Sequence, residues 1–288
     1  MSDSTYRLDK QRVRAAFARA AKNYDAVAVL QAKVRVEMLE RLALLKVRPE
    51  WVLDAGCGTA LATVELQTRL TPQGIIALDF AETMLHQDGF WQALKNRLFK
   101  RVVRKVCADI EALPLKNQSV DMVWSNLAVQ WCDLDICLAE FQRVLRADGV
   151  LMLSTFGPDT LHELRYATHT SHSVNVFIDM HDIGDALHRC GLSASVLDVE
   201  RYVLTYVSVE ALMNDLKSMG AGNALQARAK GLKGRSFLRA IAHRYECFRQ
   251  ADGRLPATFE VVYAQAWQGK AQPLQTSVPL RFHPRYHA

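Results

Sequence analysis

One ten-residue stretch restricts the fold of this chain more than any other. Trp51-Val52-Leu53 runs apolar residues into an acid, Asp54; Gly56-Cys57-Gly58 follows at once, and Leu61 to Leu70 then has helical spacing. A buried strand, a glycine-rich turn and a helix in direct succession form the opening unit of a doubly wound α/β sheet. Gly56 and Gly58 lack a Cβ, so a ligand can lie directly against the backbone there.

The kind of ligand can be narrowed. A dinucleotide-binding turn reads G-x-G-x-x-G/A, but Leu61 occupies the third small position here. Asp54 precedes the first glycine by two, where a carboxylate would repel a pyrophosphate and attract an ammonium group. A second buried strand, Ile75 to Asp79, ends in another acid. Acids at that place hydrogen-bond ribose hydroxyls, which supports an adenosine ligand without naming it; the plainer reading is a helix N-cap.

Residues 51–60 resemble motif I of the class I S-adenosylmethionine-dependent methyltransferases, (V/L)LDxGCGxG. Ala60 departs from it by standing where the motif has its last glycine; a φ above zero at that position would be costly for alanine. The segment Ala108-Asp109-Ile110 before Leu113-Pro114 resembles the adenine pocket of the same enzymes. So does the later order of a helix over 133–146, the turn Arg146 to Gly149 and a strand over 150–156. This resemblance implies S-adenosylmethionine as co-substrate and a seven-stranded Rossmann-like sheet. It also implies cofactor contacts at Asp54, Gly56, Cys57, Gly58, Asp79, Asp109, Ile110 and Asn126. The Asn/Asp-Pro-Pro-Tyr sequence of nucleobase N-methylating enzymes is missing after the fourth strand, where Ser125-Asn126-Leu127-Ala128 stands.

The rest of the chain sorts around this core. Residues 1–46 read as an N-terminal helical segment, with Val13, Phe17, Ala20, Ala21 and Tyr24 on one face and Arg12, Arg14, Arg19 and Lys22 off it. Residues 47–207 read as the methyltransferase core. A basic helical cap, 208–255, carries Arg228, Lys230, Lys233, Arg235, Arg239, Arg244 and Arg249. A closing strand of the core follows over 256–268, and 269–288 read as a flexible tail. Residues 91–105 hold the densest basic block, and 167–176 read as a polar loop.

Composition limits the function classes. No apolar run reaches the ~18 residues of a membrane span, and no apolar signal-peptide region is visible. Six cysteines without a C-x-x-C pair read as reduced thiols. A cytoplasmic protein off the membrane is therefore expected. Cys132 and Cys137 have no histidine at ligand spacing, so no metal is expected. A net charge of +6 favours an acidic partner. Nucleic acid is not the expected one, because no stacking aromatics interleave with the basic runs.

Several further segments carry a closer resemblance: WSNLAVQWC (124–132), FGPDTLHELR (156–165), DMHDIGD (179–185), LMNDLK (212–217) with GAGN (220–223), and LPATFEVVY (255–263). Together they are similar to the malonyl-acyl-carrier-protein O-methyltransferase family of biotin synthesis, across nearly the whole chain. The resemblance implies methyl transfer to the free carboxylate of a malonyl thioester, carried on an acidic acyl carrier protein or on coenzyme A. A carboxylate has a reference pKa near ~4 and is already ionised at neutral pH, so the reaction needs no general base. A buried carboxylate does need a cation, and arginine grips both oxygens. Arg165, downstream of the fifth strand, is the expected grip. Tyr24 is expected to close over the sulfonium. His181, before a helix, reads as a structural donor more than a base. The competing readings are a class I methyltransferase with another small-molecule acceptor, a quinone or another carboxylate, and an assembly factor that binds S-adenosylmethionine without methylating.

Overall fold

The computed structural model describes residues 9–87, 102–168, 177–219 and 235–269. Chain order is α1 (Lys10–Ala20), α2 (Tyr24–Val27), α3 (Val29–Leu44), β1 (Trp51–Ala55), α4 (Leu61–Leu70), β2 (Gly74–Asp79), α5 (Glu82–Leu85), β3 (Val102–Cys107) and β4 (Val120–Asn126). Then come α6 (Leu134–Val144), β5 (Leu145–Phe156), α7 (His162–Thr168), α8 (Met180–Arg189), β6 (Leu192–Tyr206), α9 (Val209–Ser218), α10 (Arg235–Tyr245) and β7 (Leu255–Gln268). Of the basic block, only Arg104 and Lys105, on β3, fall within the described residues. The polar loop beyond Thr168, the GAGN segment and the tail after Gly269 lie outside them.

The seven strands form one sheet in the order β3-β2-β1-β4-β5-β7-β6. The first five are parallel; β7 inserts antiparallel between β5 and β6. The order reverses between β1 and β4. There the crossovers leave in opposite directions and a crevice opens at the carboxyl ends of the strands.

Strand period sets the two cores. Successive side chains point to opposite faces. Val52, Met122, Trp124, Val150, Met152, Val261 and Tyr263 face the layer built by α3, α4, α7, α9 and α10. Leu53, Val123, Leu151, Leu153, Val262 and Ala264 face α6 and α8. Helices therefore cover both faces, as parallel strands require. In the segment expected as a cap, Leu212 and Leu216 of α9 and Ile241 and Tyr245 of α10 are buried in the same core as α3.

Local chemistry fixes the helix ends. Asp9, Asp133, Asp179 and Ser208 each accept a backbone N–H in the first turn of α1, α6, α8 and α9. The turn after α6 differs from expectation. The helix ends at Val144 instead of running to Arg146. The left-handed position is Asp148 (φ +62°) and not the expected stop, Gly149. Gly149 is needed for another reason: a Cβ there would lie 2.8 Å from the carbonyl oxygen of Arg146. No described helix is long and apolar enough to cross a membrane.

Candidate cofactor site

The turn after β1 holds three left-handed residues within five: Gly56 (φ +76°), Gly58 (φ +56°) and Ala60 (φ +64°). The costly conformation at 60 is thus adopted, and Ala60 is fully buried. Gly56 and Cys57 both donate their N–H to the Leu78 carbonyl, at 2.8 and 2.9 Å, which pins the turn to the end of β2. Gly58 donates to Oδ2 of Asp79 at 2.8 Å, and Ala81 donates to its Oδ1 at 2.8 Å. Each carboxylate oxygen keeps a second lone pair for a ligand hydroxyl. A Cβ at Gly56 would sit 2.3 Å from Cβ of Ala128, so the turn after β4 approaches too closely for any side chain.

These turns border a cleft that is partly open to solvent. Gly56, Gly58, Asp79, Asp109, Ile110, Asn126 and Tyr24 all line it. Its roof is the N-terminal segment: Lys10, Val13 and Phe17 of α1, with Tyr24. Phe17 packs edge-on against Trp131 at 5.5 Å and against Tyr24 at 6.2 Å. Thr59 donates to Oδ1 of Asp25 at 2.5 Å, tying the β1 turn to α2. The Tyr24 ring lies over Gly58, 3.8 Å from where a Cβ would be. Burial, and then the charges of Asp79 and Asp25, push the Tyr24 phenol well above its ordinary pKa, so it stays protonated.

At the far end, Lys10 Nζ pairs with Asp109 at 2.5 Å and Glu111 at 2.6 Å. Burial alone would lower the lysine pKa, but the hydrogen bonds to both acids raise it and keep it charged. Nothing in the motif near Asp109 announced Lys10. Its one signal was position: it precedes Val13 by three and Phe17 by seven on the same helical stripe.

Three expected contacts are placed elsewhere. Asp54 is buried beneath the turn and does not line the cleft; its Oδ2 accepts the Thr63 hydroxyl at 2.6 Å. Burial raises its pKa to about 7, with Asp79 adding and the Thr63 hydrogen bond opposing. The Cys57 side chain also turns away from the cleft and packs with Ala60 and Ala77. Burial, then Asp54 and Asp79, push its thiol well up, which favours the protonated form. Arg165 does not line the cleft either. Its Nη1 donates to the Thr160 carbonyl at 2.6 Å and its Nη2 to the Pro158 carbonyl, so the expected grip on a substrate carboxylate is turned onto its own loop.

Asn126 lines the cleft with both ends of its amide engaged. Nδ2 donates to the Gln31 carbonyl at 3.1 Å, and Oδ1 accepts from Ser154 at 3.0 Å. His181 is exposed at the start of α8, where its backbone N–H donates to Asp179. Glu111, Cys132 and Cys137 bring their ligand atoms within 4.8 Å of one another, a meeting the sequence spacing did not reveal. Glu111 is already held there by Lys10 and by the N–H of Asp133.

Residues 53–153 match the family model described as a methyltransferase domain. The malonyl-[acyl-carrier protein] O-methyltransferase of Methylovorus sp. (strain MP688) is 52% identical over 99% of this chain and 98% of its own length. The protein of the same name from Laribacter hongkongensis is 50% identical over 95% of this chain and 94% of its own. Among solved structures, a putative methyltransferase from Bacillus halodurans matches 82% of this chain and 99% of its own, with a TM-score of 0.59 at 16% identity. A phosphoethanolamine-type N-methyltransferase from Haemonchus contortus, solved with S-adenosylhomocysteine, has a TM-score of 0.50 at 15% identity, covering 82% of this chain and 52% of its own.

Proposed function

This chain belongs to the malonyl-[acyl-carrier protein] O-methyltransferase family, and from that premise we propose that it transfers a methyl group from S-adenosylmethionine to the free carboxylate of malonyl-acyl carrier protein. Identity to a relative of that name, running over 99% of the chain, is the observation that carries the reading. The methyl ester masks the charge that would otherwise distinguish the malonyl unit from an ordinary fatty-acid primer, which is how it primes pimeloyl and biotin synthesis.

When bound, S-adenosylmethionine supplies an electrophilic methyl group on a sulfonium. A carboxylate oxygen forms the new bond to carbon as the carbon–sulfur bond breaks, and the electron pair stays on sulfur. No proton moves, so no side chain has to act as a base, and His181 is left with its place at a helix start. What remains for the protein is alignment, which can supply up to ~7–11 kcal/mol.

The residues fit that task. Gly56 and Gly58 let a ligand rest on backbone. Asp79 and Asp109 stand at the ends of neighbouring strands, as the ribose and adenine hydroxyl and amino groups require, and Ile110 offers the apolar surface beside them. Asn126, clamped at both ends, holds the N-terminal helices to the sheet at the cleft floor. Tyr24, roofing Gly58, supplies an aromatic face or a protonated hydroxyl toward the reacting groups. Arg165 serves as a positioning residue for the turn after β5. The six free thiols fit a cytoplasmic enzyme, and no nucleic-acid partner is needed.

The test is a mass-spectrometric assay of the purified protein with S-adenosylmethionine and either malonyl- or acetyl-loaded carrier protein. One methyl gained on the malonyl form and none on the acetyl form is the expected result. Methylation of both, or of neither while the cofactor binds, would overturn the assignment of the acceptor.

A further inference from the structure

The helix that roofs the cofactor cleft also carries cations outside the cleft. Val13 and Phe17 of α1 point into the cleft, while Arg12, Arg14, Arg19 and Lys22 are exposed. Among the described residues none of these four forms an ion pair. The arginines of the scaffold behave differently. Arg35 pairs with Glu65 at 3.1 Å, Arg143 with Glu140 at 2.7 Å, Arg146 with Asp121 at 2.9 Å, and Arg201 with Asp159 at 2.6 Å. The described acids that flank these cations are committed elsewhere. Asp9 caps α1, and Asp25 accepts the Thr59 hydroxyl. Arg14 lies 5.7 Å from the centre of the Phe80 ring, and Phe80 lines the cleft, so the basic surface begins at the cleft rim.

We infer that the outer face of α1, with Arg12 and Arg19, continued by Lys22 in the turn that follows it, is the docking surface for the acidic carrier protein, so that this segment closes the cofactor site on its inner side and receives the substrate's carrier on its outer side. The inference rests on the reaction proposed above. A substrate tethered to its carrier by an arm needs a docking surface that borders the mouth of the cleft. An unpaired row of cations on the roof meets that need. On α10, Arg244 is committed, donating to the Ala167 carbonyl at 3.2 Å, and the exposed Arg239 is not among the residues that line the cleft. Exposed charges of this kind steer encounter more than they add affinity, and salt screens them.

The experiment compares the wild type with a triple variant, Arg12→Gln/Arg19→Gln/Lys22→Gln, on two substrates: malonyl-loaded carrier protein and the small malonyl thioester of N-acetylcysteamine. Thermal melting and cofactor affinity confirm that the variant is folded. The expected result on the carrier substrate is a fall of about tenfold in kcat/KM at low salt. It comes with kcat unchanged and a flatter salt dependence, and activity on the small thioester is unaltered. Equal losses on both substrates would overturn the inference, because α1 would then act within the cleft. A normal triple variant beside an impaired Lys217→Gln/Arg239→Gln variant would also overturn it, moving docking to α9 and α10. A wild type that methylates neither substrate would overturn the reaction itself, and the docking role with it.

Discussion

The turn after β1 and the turn after β5 leave the same edge of the sheet, yet they are built in opposite ways. The first is nearly all backbone. Its left-handed residues keep side chains off the cleft, and its amides are pinned to Leu78 and Asp79 so that a bare surface faces the ligand. The second is knit by side chains to the last strand. Asp159 donates its N–H to Glu260 at 2.8 Å, and Thr160 exchanges hydrogen bonds with the Glu260 backbone at 3.0 and 3.1 Å. Leu161 donates to the Thr258 carbonyl at 2.6 Å, and buried Glu163 accepts from the Thr258 hydroxyl at 2.5 Å. Arg165 closes the turn on the carbonyls of Pro158 and Thr160. One turn is shaped by what it must bind, the other by what it must hold in place.

Gly56→Ala attacks the first turn hardest. The new Cβ would meet Ala128 at 2.3 Å, in a backbone conformation that disfavours any L side chain. Overpacking and left-handed strain together cost roughly 2–5 kcal/mol. Calorimetric titration with S-adenosylhomocysteine should show affinity reduced by a hundredfold or more, or no folded protein by circular dichroism. A variant that binds normally would mean the cradle is not this turn.

Asp54 gives the same turn a pH signature. In the unfolded chain it titrates at its ordinary value, and in the fold at about 7. Between roughly pH 4 and 7 the folded state therefore holds the extra proton. Stability contributed by this group declines as pH rises through that window and is level above it. The size is on the order of a few kcal/mol. Melting temperatures of wild type and Asp54→Asn should diverge in slope between about pH 4 and 7, the wild type falling more steeply. Parallel curves would show that Asp54 is ionised throughout.

Arg165→Gln probes the second turn. A charge-assisted hydrogen bond is worth about 1.5–3 kcal/mol, and solvent discounts the two lost here because the guanidinium is only partly buried. The melting temperature should drop while cofactor affinity stays constant. A raised KM for malonyl carrier protein with an unchanged melting temperature would instead give Arg165 the carboxylate-gripping role that its residue type suggested.

The two turns also divide what was legible in the sequence. The succession of strands and helices, the acid at the end of β2 and the apolar stripe of α1 follow from local patterns, because periodicity decides which face a residue occupies. Within the β1 turn, side-chain direction depends on the φ values at 56, 58 and 60, so Cys57 and Asp54 looked like cofactor contacts and are packing and buried groups. The β5 turn was recognisable as a motif but not as chemistry. Its partners, Thr258 and Glu260, lie about a hundred residues away, and no local pattern states that β7 returns between β5 and β6. Lys10 escaped for a similar reason: its acids sit on the far side of the sheet's opening unit.

The mildest test separates the conformation of the first turn from its contacts. Ala60 holds φ +64° with no exposed surface, packed beside Ala77. An alanine in the left-handed region costs roughly 1–2 kcal/mol relative to the right-handed one. Glycine would remove that strain but would give up a buried methyl and gain freedom in the unfolded chain, each worth about 0.5–1 kcal/mol. Ala60→Gly should therefore shift the melting temperature by a few degrees at most. Cofactor affinity should stay within about threefold, because Ala60 faces the core and not the cleft. A large gain in affinity would mean that the strain at 60 reaches Gly58 and that the turn is held slightly out of shape for its ligand. No change would leave the cradle defined by Gly56 and Gly58 alone.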